Sequence, residues 1–152
     1  MPKKITQKSA RLLAIEVLFK FDRTKKRLDD LSAEIYQNND LIKEERRLFK
    51  NLVSGVVRHL LYLDWMAAFF FKGNYKKALI KNKTILRLAF YEILFLKQVP
   101  DYAAVNEYVN LARKKSSLQF AKQVNAILRS FLRKELVPDP TNNELRSVIL
   151  SR

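Results

Sequence analysis

The stretch from Ile85 to Leu96, ILRLAFYEILFL, restricts the fold more than any other part of the chain. Only Arg87 and Glu92 are charged; every other position is Ile, Leu, Ala, Phe or Tyr. A helix that is apolar on all sides must be covered by neighbours all round. It is too short and too charged to cross a bilayer, which asks for about 20 mostly apolar residues. The stretch therefore predicts the core helix of a bundle. Arg87 and Glu92, as buried charges, are expected to be paired within that bundle.

Pro100 ends this helix, because proline lacks an N–H and drives Val99 towards extended geometry. Asp101 is the expected N-cap of the next helix, Tyr102 to about Lys115, whose stripe is Val105, Tyr108, Val109 and Ala112. Asn106 and Glu107 open this second helix. They can reach a ligand or can cap and cross-link helices, and the structural reading is preferred.

Helical periodicity continues on both sides. A first helix is expected from about Thr6 to Asp22, with Ala10, Leu13, Ala14, Val17, Leu18 and Phe21 facing inwards. A short helix carries Leu28, Leu31 and Ile35. A long helical region starts near Lys43 and is expected to run through Trp65 and Phe69 to the Gly73-Asn74 turn, with Phe69, Phe70 and Phe71 plugged into the core. The last helix starts at Ser116 or Ser117 and turns Ala121, Val124, Ile127, Leu128 and Phe131 inwards. Two glycines and four prolines leave few turn positions for an all-β chain. The fold class is all-α, in one domain over residues 1–134, and residues 135–152 read as a linker or tail.

A net charge of +15 in 152 residues exceeds the roughly 2–8 that solubility asks of a small domain, and points to a polyanionic partner. Nucleic acid is the first reading and an anionic membrane surface the second. Acids are unevenly placed: there is none from Trp65 to Tyr91 and none from Tyr108 to Lys134. The second block carries Arg113, Lys114, Lys115, Lys122, Arg129, Arg133 and Lys134, and Lys122, Asn125, Arg129 and Arg133 share one helical face. Each block is a candidate phosphate-contact surface. Bases also flank the first helix. Lys25, Lys26 and Arg27 follow its C-terminus, where cations favour the helix dipole. Lys4, Lys8 and Arg11 stand at its N-terminus, where the dipole gives them nothing. That makes the earlier group the more informative of the two.

Catalytic readings find little support. His59 has no second histidine or cysteine near it in sequence and reads as a packing residue. The chain has no cysteine, and two isolated glycines make neither a P-loop nor a GxGxxG turn. Asp29-Asp30 and Glu44-Glu45 sit near helix starts, where dipole and solvation explain them. The amino end, MPKKITQKSAR, has no apolar core like that of a signal peptide, so a cytoplasmic protein is expected.

Five segments, RLLAIEVLF (Arg11–Phe19), LVSGVVRHLLYLDW (Leu52–Trp65), ILRLAFYEILFLKQVP (Ile85–Pro100), AAVNEYVNLAR (Ala103–Arg113) and QVNAILRSFLR (Gln123–Arg133), resemble in order and spacing the NusB-type α-helical RNA-binding fold. The resemblance implies a bundle of about six to seven helices in two packed sub-bundles and no cofactor. Two branches share that fold. One is the antitermination factor, which pairs with a small-subunit ribosomal protein, NusE, and binds boxA RNA. The other is the amino-terminal domain of a bacterial 16S rRNA cytosine-C5 methyltransferase. GVVR with LDW, the VPDYAAVNE corner and VNAILR resemble the methyltransferase branch more closely. The preferred reading is therefore a non-catalytic RNA-binding domain of such an enzyme, with the free-standing antitermination factor as the alternative. The partners implied are rRNA or a boxA-like single strand, with a catalytic domain in cis or a ribosomal protein. Methylation by this chain alone is not expected, since C5 chemistry needs a cysteine nucleophile and a site for S-adenosylmethionine. Lys8 and Arg11 match basic positions of the family's RNA-binding start, whereas Gln7 replaces one. The expected RNA contacts are Lys4, Lys8, Arg11, Lys114, Lys115, Lys122 and Arg129, joined into one surface if the starts of the first and last helices are neighbours.

Overall fold

The computed structural model describes residues 8–97 and 99–133. The expected tail from residue 135 lies outside the described residues, as do Lys4 and Thr6. Among the described residues there are seven α-helices and no strand: α1 (Ala10–Arg23), α2 (Leu28–Asn38), α3 (Lys43–Arg58), α4 (Leu60–Phe70), α5 (Ile80–Tyr91), α6 (Asp101–Lys115) and α7 (Leu118–Arg133). A 3-10 turn at Tyr75–Lys77 precedes α5 and a π-helical turn at Glu92–Leu96 follows it. The chain divides into two compact units between Gly55 and Val56, inside α3.

In the first unit, the Oγ of Ser9 accepts the N–H of Leu12 and caps α1. The helix thus starts at Ala10 and not near Thr6, which leaves Lys8 just outside it. A second orphan donor of the first turn, Ala10 N–H, is bound at 2.8 Å by the Glu45 carboxylate of α3. Leu13, Ala14, Val17 and Leu18 form the buried stripe of α1, as their spacing predicts. Leu31 and Ile35 of α2 and Phe49, Leu52 and Val53 of α3 add to the buried residues of this unit. Tyr36 meets Phe49 edge-on at 5.6 Å.

The second unit is built on α5. Residues 84–93 are all buried, so the apolar stretch is the core helix its composition implies. Phe90 of α5, Phe70 of α4 and Phe131 of α7 pack ring to ring at 5.2–6.2 Å between centroids. Phe70 is the plug expected at the end of α4, but Phe69 is not, at 52% exposed. Of the two charges in the core stretch, Arg87 is ion-paired and Glu92 accepts a hydrogen bond. Arg87 donates from Nε to Asp64 Oδ1 at 2.6 Å and from Nη2 to Oδ2 at 3.1 Å, and the Tyr75 hydroxyl donates to the same Oδ1 at 2.7 Å. The Tyr108 hydroxyl donates to Glu92 Oε1 at 3.5 Å.

Three local expectations are corrected. The helical run from Lys43 does not pass unbroken into α4: it breaks at His59, whose backbone leaves helical geometry at φ −108°, ψ 21°. The His59 ring stacks on Phe95 at 4.4 Å, which makes it the packing residue expected and ties the break to a tertiary contact. The core helix also loosens before Pro100. Lys97 N–H returns to Glu92 O at 3.2 Å and Lys97 takes a left-handed φ of 48°, so the π-helical turn ends in an αL residue. Asp101 is the first residue of α6 and not its cap. Pro100 holds the cap position, and its carbonyl accepts the N–H groups of Ala103 and Ala104.

Candidate nucleic-acid interface

In the first unit, Lys8 is exposed beside the cap of α1, and its Nζ reaches Glu16 at 3.1 Å. Arg11, in the first turn, is half-buried. Neither gains from the helix dipole at this end. A lysine 45% exposed and paired with a carboxylate 26% exposed contributes little stability, so Glu16 holds Lys8 weakly.

The second unit carries the other expected contacts. Lys114 and Lys115 end α6 and do not open α7. Cations at a helix C-terminus complement its dipole, so these two have a local reason to be there. Ser117 Oγ accepts the Phe120 N–H and caps α7, while Ser116 Oγ donates to Asn82 Oδ1 at 2.6 Å and pins the connecting turn to α5. Lys122 and Arg129 are exposed on one face of α7, where Arg129 Nε donates to Asn125 Oδ1 at 2.8 Å. The packed α6–α7 hairpin thus carries Lys114, Lys115, Lys122 and Arg129 within one unit.

Asn106 and Glu107 are not the cross-links their position after the proline corner suggested. Both are exposed on α6, because the buried stripe runs through Ala104, Val105, Tyr108, Leu111 and Ala112. Tyr91, the last residue of α5, resists ionisation. Burial pushes its phenol above the ordinary 10.0, with Arg58 partly opposing, so it stays neutral at physiological pH. Among the described residues, no group of three His, Cys, Asp or Glu is placed to hold a metal ion. Nor is any described helix long and apolar enough to cross a membrane.

The sequence pattern of the NusB family matches residues 8–133. The chain belongs to the NusB family. It is 32% identical over 132 residues to the probable ribosomal RNA small subunit methyltransferase B of Bacillus subtilis, a match that takes in 86% of this chain but only 29% of that enzyme. It is 28% identical over 126 residues to the transcription antitermination protein NusB of Pseudoalteromonas translucida, covering 83% of this chain and 93% of that one. A crystal structure of the antitermination factors NusB and NusE in complex with dsRNA superposes with a TM-score of 0.73 at 25% identity, over 82% of this chain and 93% of that one. These findings bear out the all-α fold and the family resemblance. The match takes in nearly all of that antitermination protein, and the sequence contains no cysteine that could serve as a nucleophile.

One basic surface of this NusB-family chain escaped the reading of the sequence. Lys43, Arg46, Arg47 and Lys50 stand at i, i+3, i+4 and i+7 along α3, which puts all four on one face. The signal is written in KEERRLFK, residues 43–50, where the two acids at the helix start mask it.

Proposed function

We propose that the chain is a non-catalytic RNA-binding protein of the antitermination type, acting in the cytoplasm with a small-subunit ribosomal protein as partner. The observation that carries this reading is coverage: the match spans 93% of the Pseudoalteromonas antitermination protein but 29% of the Bacillus methyltransferase. The solved complex of NusB and NusE with dsRNA supports RNA and a protein partner together. The net charge of +15 supplies the long-range attraction that RNA binding requires. RNA phosphates would be met by Lys8 and Arg11 in the first unit and by Lys114, Lys115, Lys122 and Arg129 in the second, with Lys4 as a further contact.

The second reading, an RNA-binding domain belonging to an rRNA methyltransferase, is favoured by the 32% identity to the Bacillus enzyme. It also agrees with the GVVR, LDW and VNAILR segments. Sequencing the native gene past the codon for Arg152 separates the two. A frame that continues into a cysteine-containing domain with a glycine-rich cofactor turn selects the methyltransferase.

RNA binding itself is tested by titrating a labelled single-stranded RNA at several salt concentrations. Log K should fall linearly with log salt, by about 0.7 per phosphate neutralised. Paired reversals, Lys8→Glu with Arg11→Glu and Lys114→Glu with Lys122→Glu, should each weaken binding and flatten that slope. The same reversal at Lys25 and Lys26, where Lys26 is paired with Glu34 at 3.5 Å, should matter less. Loss of binding in the Lys25/Lys26 variant alone would put the RNA elsewhere.

A further inference from the structure

Between α2 and α3, wholly within the first unit, runs a groove of about 510 Å³. The basic face of α3 forms one wall through Lys43, Arg46, Arg47 and Lys50, while Asp29 and Tyr36 of α2 are on the other. All four cations are exposed, and among the described residues none forms an ion pair with a carboxylate. Apart from one contact of Arg46, the fold gains little from this arrangement. Like charges three and four residues apart on a helix repel one another. Lys43, Arg46 and Arg47 also occupy the first turns of α3, the end at which the helix dipole disfavours cations. Arg46 is nonetheless held in place, its guanidinium 4.2 Å from the centroid of the Tyr36 ring.

We propose that this groove is a second track for the phosphate backbone of the bound RNA, formed by Lys43, Arg46, Arg47 and Lys50. The inference rests on the RNA-binding reading above and adds a surface to it. A linear polyanion fits better than a single anionic group, because the cations at positions 43, 46, 47 and 50 are strung along about 10 Å of helix, seven residues at 1.5 Å each. One groove acid, Asp29, faces four bases, so the wall stays strongly positive. Arg46, preset by Tyr36, meets a phosphate with less of its side-chain freedom left to lose.

The test is the double reversal Arg47→Glu with Lys50→Glu, which leaves the Arg46–Tyr36 contact intact. Anisotropy titration of a labelled single-stranded RNA should show at least about a tenfold loss of affinity near 0.1 M salt. The salt slope should fall by about 1.4, the value for two phosphate contacts at 0.7 each. Circular dichroism confirms that the helices persist, and Arg47→Ala with Lys50→Ala supplies the same readout if the reversal does not fold. Unchanged affinity and slope in a folded variant would overturn the groove while leaving RNA binding by the family surface standing. Loss of poly-glutamate binding with RNA binding intact would also overturn it, by assigning the groove to an acidic polypeptide. A wild-type chain that fails to bind RNA at all would overturn both readings.

Discussion

Arg87 of the second unit and the cation row of α3 in the first are used in opposite ways. In the second, Arg87 is turned inward, its side chain 10% exposed and clamped to Asp64 on α4 by two hydrogen bonds, with Tyr75 completing the acceptor. In the first, Lys43, Arg46, Arg47 and Lys50 are turned outward along one face of α3, and among the described residues none of them is ion-paired to a carboxylate. The same residue types therefore do different work. A buried guanidinium in a bidentate pair fixes helices against each other, and its loss is read in stability. An exposed row of like charges at a helix start costs the fold something, and its loss should be read in binding.

The sharpest way to break this contrast is to remove one partner of the buried pair. Asp64→Ala removes the carboxylate that accepts from both the Arg87 guanidinium and the Tyr75 hydroxyl. The expected loss is about 3–5 kcal/mol, the usual result of stranding one buried charge. Arg47→Ala, on the exposed stripe, should change stability by no more than about 0.5 kcal/mol. Chemical denaturation of the two variants side by side measures both, and equal losses would erase the distinction between the units.

A smaller effect is expected where an acid of the first unit does a structural task. Glu45 of α3 accepts the Ala10 N–H and so satisfies one of the orphan donors at the start of α1. Glu45→Ala should cost about 1 kcal/mol, the scale of a lost helix cap, because Ser9 still binds the Leu12 N–H. A thermal melt checks it. No loss would mean that water replaces the carboxylate at no cost.

Most of the helical frame was legible because it rests on local signals. The apolar run from Ile85, the Pro100 stop, the Ser117 cap and the inward stripe of α7 all depend on residues a few positions apart. What was missed depends on contacts between distant parts of the chain. Nothing in VVRHLLYLDW breaks a helical pattern, since the apolar residues continue through it; the break at His59 goes with a ring stack on Phe95. The π-helical turn likewise carries no glycine or proline of its own, and its αL residue is a lysine. Arg87 and Glu92 could be read as buried and paired, but their partners could not. Asp64 lies in another helix, and Tyr108 comes from beyond the proline corner. The basic stripe of α3 is the reverse case, fully written in the local spacing and overlooked beside Glu44 and Glu45.

The smallest expected effect concerns Asn106 and Glu107, which test whether the inward-turned polar groups of the second unit extend to its surface. Their position after the proline corner suggested cross-linking, and alanine at either would then lower the melting temperature. On α6, however, Ala104, Val105 and Tyr108 take the buried side, and the helical period carries residues 106 and 107 around to solvent. A solvated amide or carboxylate exchanges its hydrogen bonds with water at little net cost. Asn106→Ala and Glu107→Ala should therefore each shift stability by no more than about 0.5 kcal/mol. Glu107 is also the last acid of the described hairpin before the acid-free run that begins at Tyr108. Glu107→Gln should thus raise RNA affinity slightly at low salt and leave it unchanged at high salt, where surface charges are screened. A melting temperature that falls by several degrees in either alanine variant would return both residues to the frame of the bundle. It would also show that the polar interior of this unit reaches further out than Asp64, Arg87 and Glu92.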